Sequence, residues 1–197
     1  MDTDFENLIT RYLSTQIGIT EDFFSKILTA QLKENLLTLY SQNSLLAAGT
    51  GNNKAVMHNN EVRSDAIYWL DRKHNNASED AFFDRIDDFI SYLNKTCYTG
   101  ITSCEFQYSF YETGSFYTKH LDRFKNNSSR VFSMVSYLNS DWEHKDGGHL
   151  IVQQTVGEQK IAPTQGKTVF FKSDELLHEV EVTHAPRMSI AGWLKRD

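Results

Sequence analysis

Two His-x-Asp pairs are the residues best suited to metal chemistry: His120 with Asp122, and His144 with Asp146. A non-haem iron site needs two histidines and one carboxylate on one side of the metal, with the remaining coordination positions open. Residues two apart on a strand point to the same side, so a His-x-Asp strand meets that need. The first pair ends the strand-like segment FYETGSFYTKHLD, whereas the second lies in the turn-like segment SDWEHKDGGHL. The sequence therefore favours His120 and Asp122 as ligands.

A third ligand must come from a distant strand, and the candidates are His149, His178 and His184. In the segment HEVEVTHAPR, His178, Val180 and Val182 alternate with glutamates, which predicts a half-buried strand with the histidine facing inward. His149 and His184 are expected on the surface or in turns. The pattern favours His178 as the ligand, although a hydrogen-bonded core histidine would produce the same pattern.

The last strand-like segment, PRMSIAGWL, places Arg187, Ser189, Ala191 and Trp193 on one face. An arginine fork pairs bidentately with a carboxylate in a dry site. Small residues beside it leave room for such a ligand. A surface arginine on an edge strand is the alternative, but it explains the small inward positions less well. The segment thus predicts a carboxylate anchor.

The elements that must position these residues change character along the chain. Three segments before residue 97 have helical periodicity, with Thr20 and Ser78 predicted as N-caps of the second and third helices. The clearest stripe consists of Phe24, Leu28, Leu32, Leu36 and Tyr40. From about residue 100 the period becomes two, and strand segments alternate with turn clusters, as in a sandwich or jelly roll. A long polar connection around residues 47–62 suggests a functional loop or lid, and a flexible insertion without a function is an equally open alternative.

Bulk composition narrows the class of protein. A length of 197 residues predicts one domain. A formal net charge of −6 and the lack of basic runs predict no nucleic-acid partner, and no apolar run is long enough for a membrane helix. Cys97 and Cys104 are expected to be reduced, and the acidic start lacks a signal-peptide layout, so a cytoplasmic location is expected.

From Gly49 onward the sequence resembles the prolyl hydroxylase type of 2-oxoglutarate oxygenase. It is most similar to the hypoxia-inducible-factor prolyl hydroxylases and to small bacterial relatives that act on elongation factor Tu. Arg187 follows His178 by nine residues, which is the spacing of the 2-oxoglutarate anchor in that family. The resembling blocks are VRSDAIYWL, FYETGSFYTKHLDRF, SRVFSMVSYLNSDWEHKDGGHLIV, KTVFFKSDELLHEVEV and PRMSIAGWL.

The resemblance implies an α+β fold in which a double-stranded β-helix, or jelly roll, carries N-terminal helices on one sheet. A single domain would span residues 1–197. Residues 1–45 and 78–96 would be mainly helical, and residues 100–197 would form the jelly-roll core.

The resemblance also implies residue roles. Fe(II) would be held by His120, Asp122 and His178. The 2-oxoglutarate site would comprise Arg187 and Tyr137 at the distal carboxylate, Tyr111 beside the cosubstrate and Trp193 as a wall. The substrate entrance would comprise Asp65 and Arg130 as a salt bridge, with Trp69 and Tyr117 nearby. The loop around residues 47–62 would close over a bound peptide.

The activity implied is O₂-dependent hydroxylation of a prolyl residue in a protein substrate, with elongation factor Tu as one candidate. Fe(II), 2-oxoglutarate and O₂ would be required, ascorbate would be a candidate reductant, and a monomer is expected. Two alternatives stay open at this point. One is the same chemistry on a free amino acid, a small molecule or another side chain. The other is a non-catalytic jelly-roll binding module.

Overall fold

In a computed structural model, which describes residues 3–49, 61–123, 128–154 and 157–197, helices pack against one of two β-sheets. The helices are α1 (Thr3–Thr15), α2 (Lys26–Ser41) and α3 (Ala77–Cys97). None of the helices in these ranges has the length and apolar composition that crossing a bilayer requires.

Both predicted helix caps are wrong. The Ser25 hydroxyl caps α2 by accepting from the Leu28 N–H, while Thr20 pairs with Thr168 in a strand. The Asn76 side chain caps α3 by accepting from the N–H groups of Ser78 and Glu79. Several residue types suit an N-cap, so a side chain two or five residues from the predicted one takes these donors.

In the described parts of the chain, eleven strands form the two sheets, and every pairing between these strands is antiparallel. The seven-stranded sheet has the order β1-β9-β6-β11-β4-β3-β2, and the four-stranded sheet has the order β5-β10-β7-β8. The first five strands are β1 (Gly18–Thr20), β2 (Leu46–Ala47), β3 (Ala66–Trp69), β4 (Ser103–Tyr111) and β5 (Tyr117–His120). The others are β6 (Arg130–Tyr137), β7 (Leu150–Gln153), β8 (Glu158–Ile161), β9 (Thr168–Lys172), β10 (His178–Val180) and β11 (Arg187–Lys195).

This architecture confirms the predicted jelly roll with N-terminal helices. The sheet also recruits β1, β2 and β3, which lie before residue 100 and were not predicted as strands. Of the polar connection around residues 47–62, residues 50–60 lie outside the described part of the chain.

Side chains alternate across the larger sheet between a core and a cavity. On β4, Phe106, Tyr108 and Phe110 join the aromatic core beneath the helices. The opposite face of the same strand presents Gln107 and Ser109 to a cavity between the two sheets. A smaller apolar core, which includes Val152 and Phe171, closes the other end of the sheet sandwich. The helices therefore stiffen the sheet from outside, and the inner face is left for chemistry.

Candidate metal and cosubstrate site

Three potential metal ligands converge where the smaller sheet borders the cavity. His120 ends β5, His178 begins β10, and the two residues are paired across these neighbouring strands. Asp122 Oδ1 lies 3.5 Å from His120 Nε2, and Asp122 Oδ2 lies 3.6 Å from His178 Nε2. All three ligand atoms lie within 4.8 Å of one another, and no other such group occurs in the described ranges.

Hydrogen bonds orient each of these side chains. The Nδ1–H of His120 donates to the Thr118 carbonyl at 2.8 Å, and the Nδ1–H of His178 donates to the Leu176 carbonyl at 3.0 Å. Both Nε2 atoms are thereby left as acceptors for a metal. The Ser133 hydroxyl donates to Asp122 Oδ2 at 2.6 Å, which fixes the carboxylate as well.

Protonation states also suit a divalent cation. Burial alone would raise the pKa of Asp122, but His178, His120 and Ser133 together hold that pKa below its ordinary value. Burial, assisted by the charge of His120, lowers the pKa of His178 despite the opposing effect of Asp122. Both shifts favour the deprotonated forms of Asp122 and His178 that metal binding requires, so the donor set fits Fe(II).

Arg187, deep in the cavity, is a cation without an anionic partner. Its side chain belongs to a residue only 1% exposed, and its Nε donates to the Gly148 carbonyl at 2.8 Å. Across the described residues, no carboxylate lies within 4.0 Å of its guanidinium. The Tyr137 ring centroid is 5.1 Å from the guanidinium carbon, and the buried Tyr137 hydroxyl has no hydrogen-bond partner there. A bound carboxylate would satisfy both groups, so the pair fits the distal carboxylate of 2-oxoglutarate.

The cavity that holds these groups has a volume of about 1140 Å³. Its wall brings together most of the predicted site residues. Those that line it are Trp69, Tyr111, Tyr117, His120, Asp122, Arg130, His178, Arg187 and Trp193. The ring centroid of Tyr111 lies 4.9 Å from the Arg187 guanidinium carbon. The inward stripe predicted for β11 is therefore observed, with Ser189 and Ala191 also facing the cavity.

The predicted salt bridge between Asp65 and Arg130 is wrong. Asp65 is buried behind the cavity wall and receives both the Nε and an Nη of Arg63, at 2.7 and 2.6 Å. Arg130 instead pairs with Glu105 at 2.8 Å, and its guanidinium carbon lies 3.3 Å from the Trp193 ring centroid. Each charge thus has a nearer partner than the one predicted, and Asp65 does not belong to the substrate entrance.

The prediction for His149 is also wrong, because this histidine is buried. It is 5% exposed, and its Nδ1 lies 2.9 Å from Glu181 Oε2. Glu181 comes from a distant segment, so the local turn composition gave no sign of the contact. His144 and His184 are exposed, as expected, and the second His-x-Asp pair lies in a short 3-10 helix, His144–Asp146.

Two supports of the site were missed in the sequence. Ser133 holds the metal-ligand carboxylate, and it shares the face of β6 that carries Val135 and Tyr137, a period-two signal that could have revealed it. Gly148 has a φ of +61°, and a Cβ there would lie 3.1 Å from Arg187 Cδ. The double glycine 147–148 is therefore a signal of close approach to the anchor, since glycine alone adopts this conformation without strain.

Comparisons with known proteins agree with this geometry. A profile of the 2OG-Fe(II) oxygenase superfamily matches residues 106–195. A prolyl-4-hydroxylase structure from Pseudomonas putida is 27% identical and superimposes with a TM-score of 0.88, covering 98% of this chain and 99% of that chain. A Trichoplax adhaerens prolyl hydroxylase, solved with a hypoxia-inducible-factor peptide, has a TM-score of 0.86 at 22% identity, covering 98% and 89% of the two chains. At that identity the second likeness supports the fold alone.

Residues 106–195 thus match the 2OG-Fe(II) oxygenase superfamily, and the three potential metal ligands agree with that match. Within this superfamily the chain is similar to proteins named prolyl hydroxylases, which supports an oxygenase of that type. Human Egl nine homolog 1 is 23% identical over 90% of this chain, which corresponds to 43% of the human protein's length. The hypoxia-inducible factor prolyl hydroxylase of Caenorhabditis elegans is 28% identical over 79% of this chain and 22% of its own length. The chain thus spans half or less of the length of these two relatives.

Proposed function

We propose that this chain is an Fe(II)- and 2-oxoglutarate-dependent dioxygenase that hydroxylates a prolyl residue of a protein substrate. One observation carries the proposal: two histidines and a carboxylate meet in the same cavity as a buried arginine that has no carboxylate partner among the described residues. When bound, Fe(II) and 2-oxoglutarate supply the activation of O₂, with succinate and CO₂ as the products. The residues of the chain bind and orient the cosubstrate and the substrate, and they exclude water from the site.

Each group at the inner end of the cavity has a defined task. His120, Asp122 and His178 hold the metal from one side and leave the other coordination positions open. Arg187 and Tyr137 hold the distal carboxylate of 2-oxoglutarate by charge-assisted hydrogen bonds. Burial raises the pKa of Tyr111, so its hydroxyl stays protonated beside the cosubstrate.

The outer part of the cavity supports a polypeptide substrate. The whole cavity has a volume of about 1140 Å³, which exceeds the upper range of about 1,000 Å³ for a small-molecule pocket, so space remains beside 2-oxoglutarate. Trp69, a large side chain that is 46% exposed, stands at the mouth with Trp193 behind it, at a centroid distance of 6.4 Å. We assign substrate contacts to Trp69, Tyr117 and Arg130. Relatives named prolyl hydroxylases support proline as the target.

The experiment incubates the anaerobically loaded protein with Fe(II), 2-oxoglutarate and host proteins, and then admits O₂. Succinate formation and peptides that gain one oxygen atom at proline, detected by mass spectrometry, are the expected results. His120→Ala should abolish both, and His144→Ala, from the exposed His-x-Asp pair, should leave both unchanged. Succinate without any modified proline would instead favour the same chemistry on a small molecule or another side chain. The absence of succinate under all conditions would contradict the proposal.

We further propose a cytoplasmic monomer that acts on a protein such as elongation factor Tu, with ascorbate as a candidate reductant. The free thiols of Cys97 and Cys104 support a reducing compartment. Sequence resemblance to small bacterial relatives that act on elongation factor Tu supports that protein as the first to test. Size-exclusion chromatography, and the assay above with purified elongation factor Tu, with and without ascorbate, check these points.

A further inference from the structure

The side chains of Tyr117 and Arg63 are stacked in succession on the ring of the metal ligand His120. The Tyr117 ring stacks on the His120 imidazole, with ring centroids 3.6 Å apart and an interplanar angle of 15°. The Arg63 guanidinium carbon lies 4.3 Å from the centroid of the same Tyr117 ring. We refer to Arg63, Tyr117 and His120 as the His120 stack. It connects a metal ligand to a residue that lies far away along the chain.

Arg63 is held in place by its side chain and by the backbone. Asp65 receives two of its hydrogen bonds, and the Asp65 side chain is fully buried. Arg63 also forms an antiparallel bridge with Tyr117, and the Thr118 N–H donates to the Val62 carbonyl at 2.8 Å. A bidentate ion pair fixes the guanidinium plane as well as its position. Arg63 is therefore held in a fixed position against the Tyr117 ring.

His120 needs this support more than His178 does. The His178 side chain is 6% exposed and also meets the edge of the Phe171 ring, with centroids 4.9 Å apart. The His120 side chain is 16% exposed at the cavity wall. Its hydrogen bond to the Thr118 carbonyl fixes one ring atom, but a single bond leaves the ring free to tilt about that atom. The flat face of Tyr117 removes this freedom.

We propose that Tyr117, Arg63 and Asp65 are positioning residues that hold the plane of the His120 imidazole for Fe(II). This inference rests on the proposed function, because it assumes that His120 is an iron ligand. It changes the role of Tyr117 from a substrate contact alone to a support of the metal. It also assigns a purpose to the buried Arg63–Asp65 pair, which holds the stack rather than the substrate.

Tyr117→Leu tests the stack, with Tyr117→Phe as its matched control. Leucine removes the flat face, and phenylalanine keeps it while removing only the hydroxyl. Substitution of groups that orient a metal ligand typically weakens metal affinity about 10–100-fold, so Tyr117→Leu should raise the Fe(II) dissociation constant by at least about 10-fold. The visible charge-transfer band of the anaerobic Fe(II)–2-oxoglutarate complex should shift or weaken. Tyr117→Phe should match the parent protein in both measurements.

The ion pair is tested by replacing both partners, Arg63→Met together with Asp65→Leu. A single replacement would leave the other charge buried without a partner and endanger folding. The double variant should weaken Fe(II) binding, as Tyr117→Leu should. Its effect should not add to that of Tyr117→Leu, because both act through one stack. Thermal unfolding without metal checks that each variant is folded.

The outcomes separate this inference from the proposed function. If His120→Ala leaves Fe(II) affinity unchanged, His120 is not a ligand and the proposed function fails. If His120→Ala abolishes Fe(II) binding while Tyr117→Leu stays within about twofold of the parent, the stack has no positioning role. Equal losses in Tyr117→Leu and Tyr117→Phe would also overturn the inference, because the hydroxyl rather than the ring face would then matter.

Discussion

At the residue scale, the proposed cosubstrate site combines a cation that lines the cavity with a buried hydroxyl beside it, and both lack an anionic partner within the described residues. Arg187 is buried and bonded to a backbone carbonyl, and the Tyr137 hydroxyl beside it is unsatisfied. Buried polar groups without full partners destabilise a folded chain. A dicarboxylic acid restores the missing interactions. These two groups are therefore expected to lower the stability of the ligand-free protein and to raise its affinity for 2-oxoglutarate.

Arg187→Met is expected to lower 2-oxoglutarate affinity at least about a hundredfold, because breaking a buried ion pair typically costs about 3–5 kcal/mol. Fe(II) binding should survive, and the melting temperature without 2-oxoglutarate should not fall, since the buried charge that is removed has no carboxylate partner in the described ranges. Calorimetric titration and thermal unfolding measure both effects. Arg72→Ala, at an exposed arginine, is the control. Parental 2-oxoglutarate affinity in Arg187→Met would remove Arg187 from the cosubstrate site.

Tyr137→Phe separates the hydroxyl from the ring. A hydrogen bond to a charged group is worth about 1.5–3 kcal/mol, so 2-oxoglutarate affinity should fall by about tenfold or more. The stability of the ligand-free protein should be unchanged or slightly higher, because the hydroxyl has no partner among the described residues. Titration calorimetry gives the affinity. A destabilised variant with normal affinity would indicate that Tyr137 serves the core and not the ligand.

Individual residues also show which features of the site could be predicted from the sequence. The ligand and anchor positions followed from strand periodicity, because His178 and Arg187 each line the cavity together with the residues two positions further along their strands. The burial of His149 did not, since its partner Glu181, which follows the neighbouring strand β10, lies 32 residues away along the chain. The Arg63–Asp65 pair was within reach of sequence reasoning, because residues two apart in extended chain lie on the same side.

At the element scale, β11 is the strand on which the site depends. It lies between β4 and β6 near the centre of the larger sheet, and it carries Arg187 at one end and Trp193 near the other. Its register against β4 places the small inward residues Ser189 and Ala191 beside the anchor. The periodicity of β11 was visible in the sequence, but its neighbours were not. Strand order depends on contacts between distant segments, which a local pattern does not contain.

Gly192 is where β11 packs most closely. A Cβ there would lie 2.2 Å from the Glu105 carbonyl oxygen and 2.3 Å from a Phe106 ring carbon. Gly192→Ala should therefore lower the free energy of unfolding by about 3 kcal/mol, at the upper end of overpacking effects. Gly157→Ala is the matched control, because it has open space and its positive φ alone should cost about 1 kcal/mol. Chemical denaturation compares them, and equal losses would contradict the packing argument.

At the scale of the whole molecule, an aromatic core fixes the outer face of a sheet whose inner face binds ligands. Phe82, Phe89 and Phe106 belong to that core, on the side of the sheet away from the cavity. The helix stripes were predictable because amphipathic spacing reports burial directly. The cavity was not, because its shape depends on two sheets closing over residues that are distant in sequence.

Ligands should stabilise the whole molecule by mass action. In the presence of Fe(II), 2-oxoglutarate at about 100 times its dissociation constant should raise the free energy of unfolding by about 2.7 kcal/mol. A chelator should reverse the gain, because the cosubstrate needs the metal as well as Arg187. Anaerobic calorimetry measures this. A gain from 2-oxoglutarate that persists after chelation would show that the metal takes no part in holding the cosubstrate.

The measurement closest to the central claim is an anaerobic Fe(II) titration in the presence of 2-oxoglutarate, followed by visible absorption. We predict one Fe(II) per chain, with a charge-transfer band that is lost in His178→Ala and Asp122→Ala and retained in His144→Ala. Tight binding with the band intact in His178→Ala would contradict the account, because the metal would then lie elsewhere than between β5 and β10.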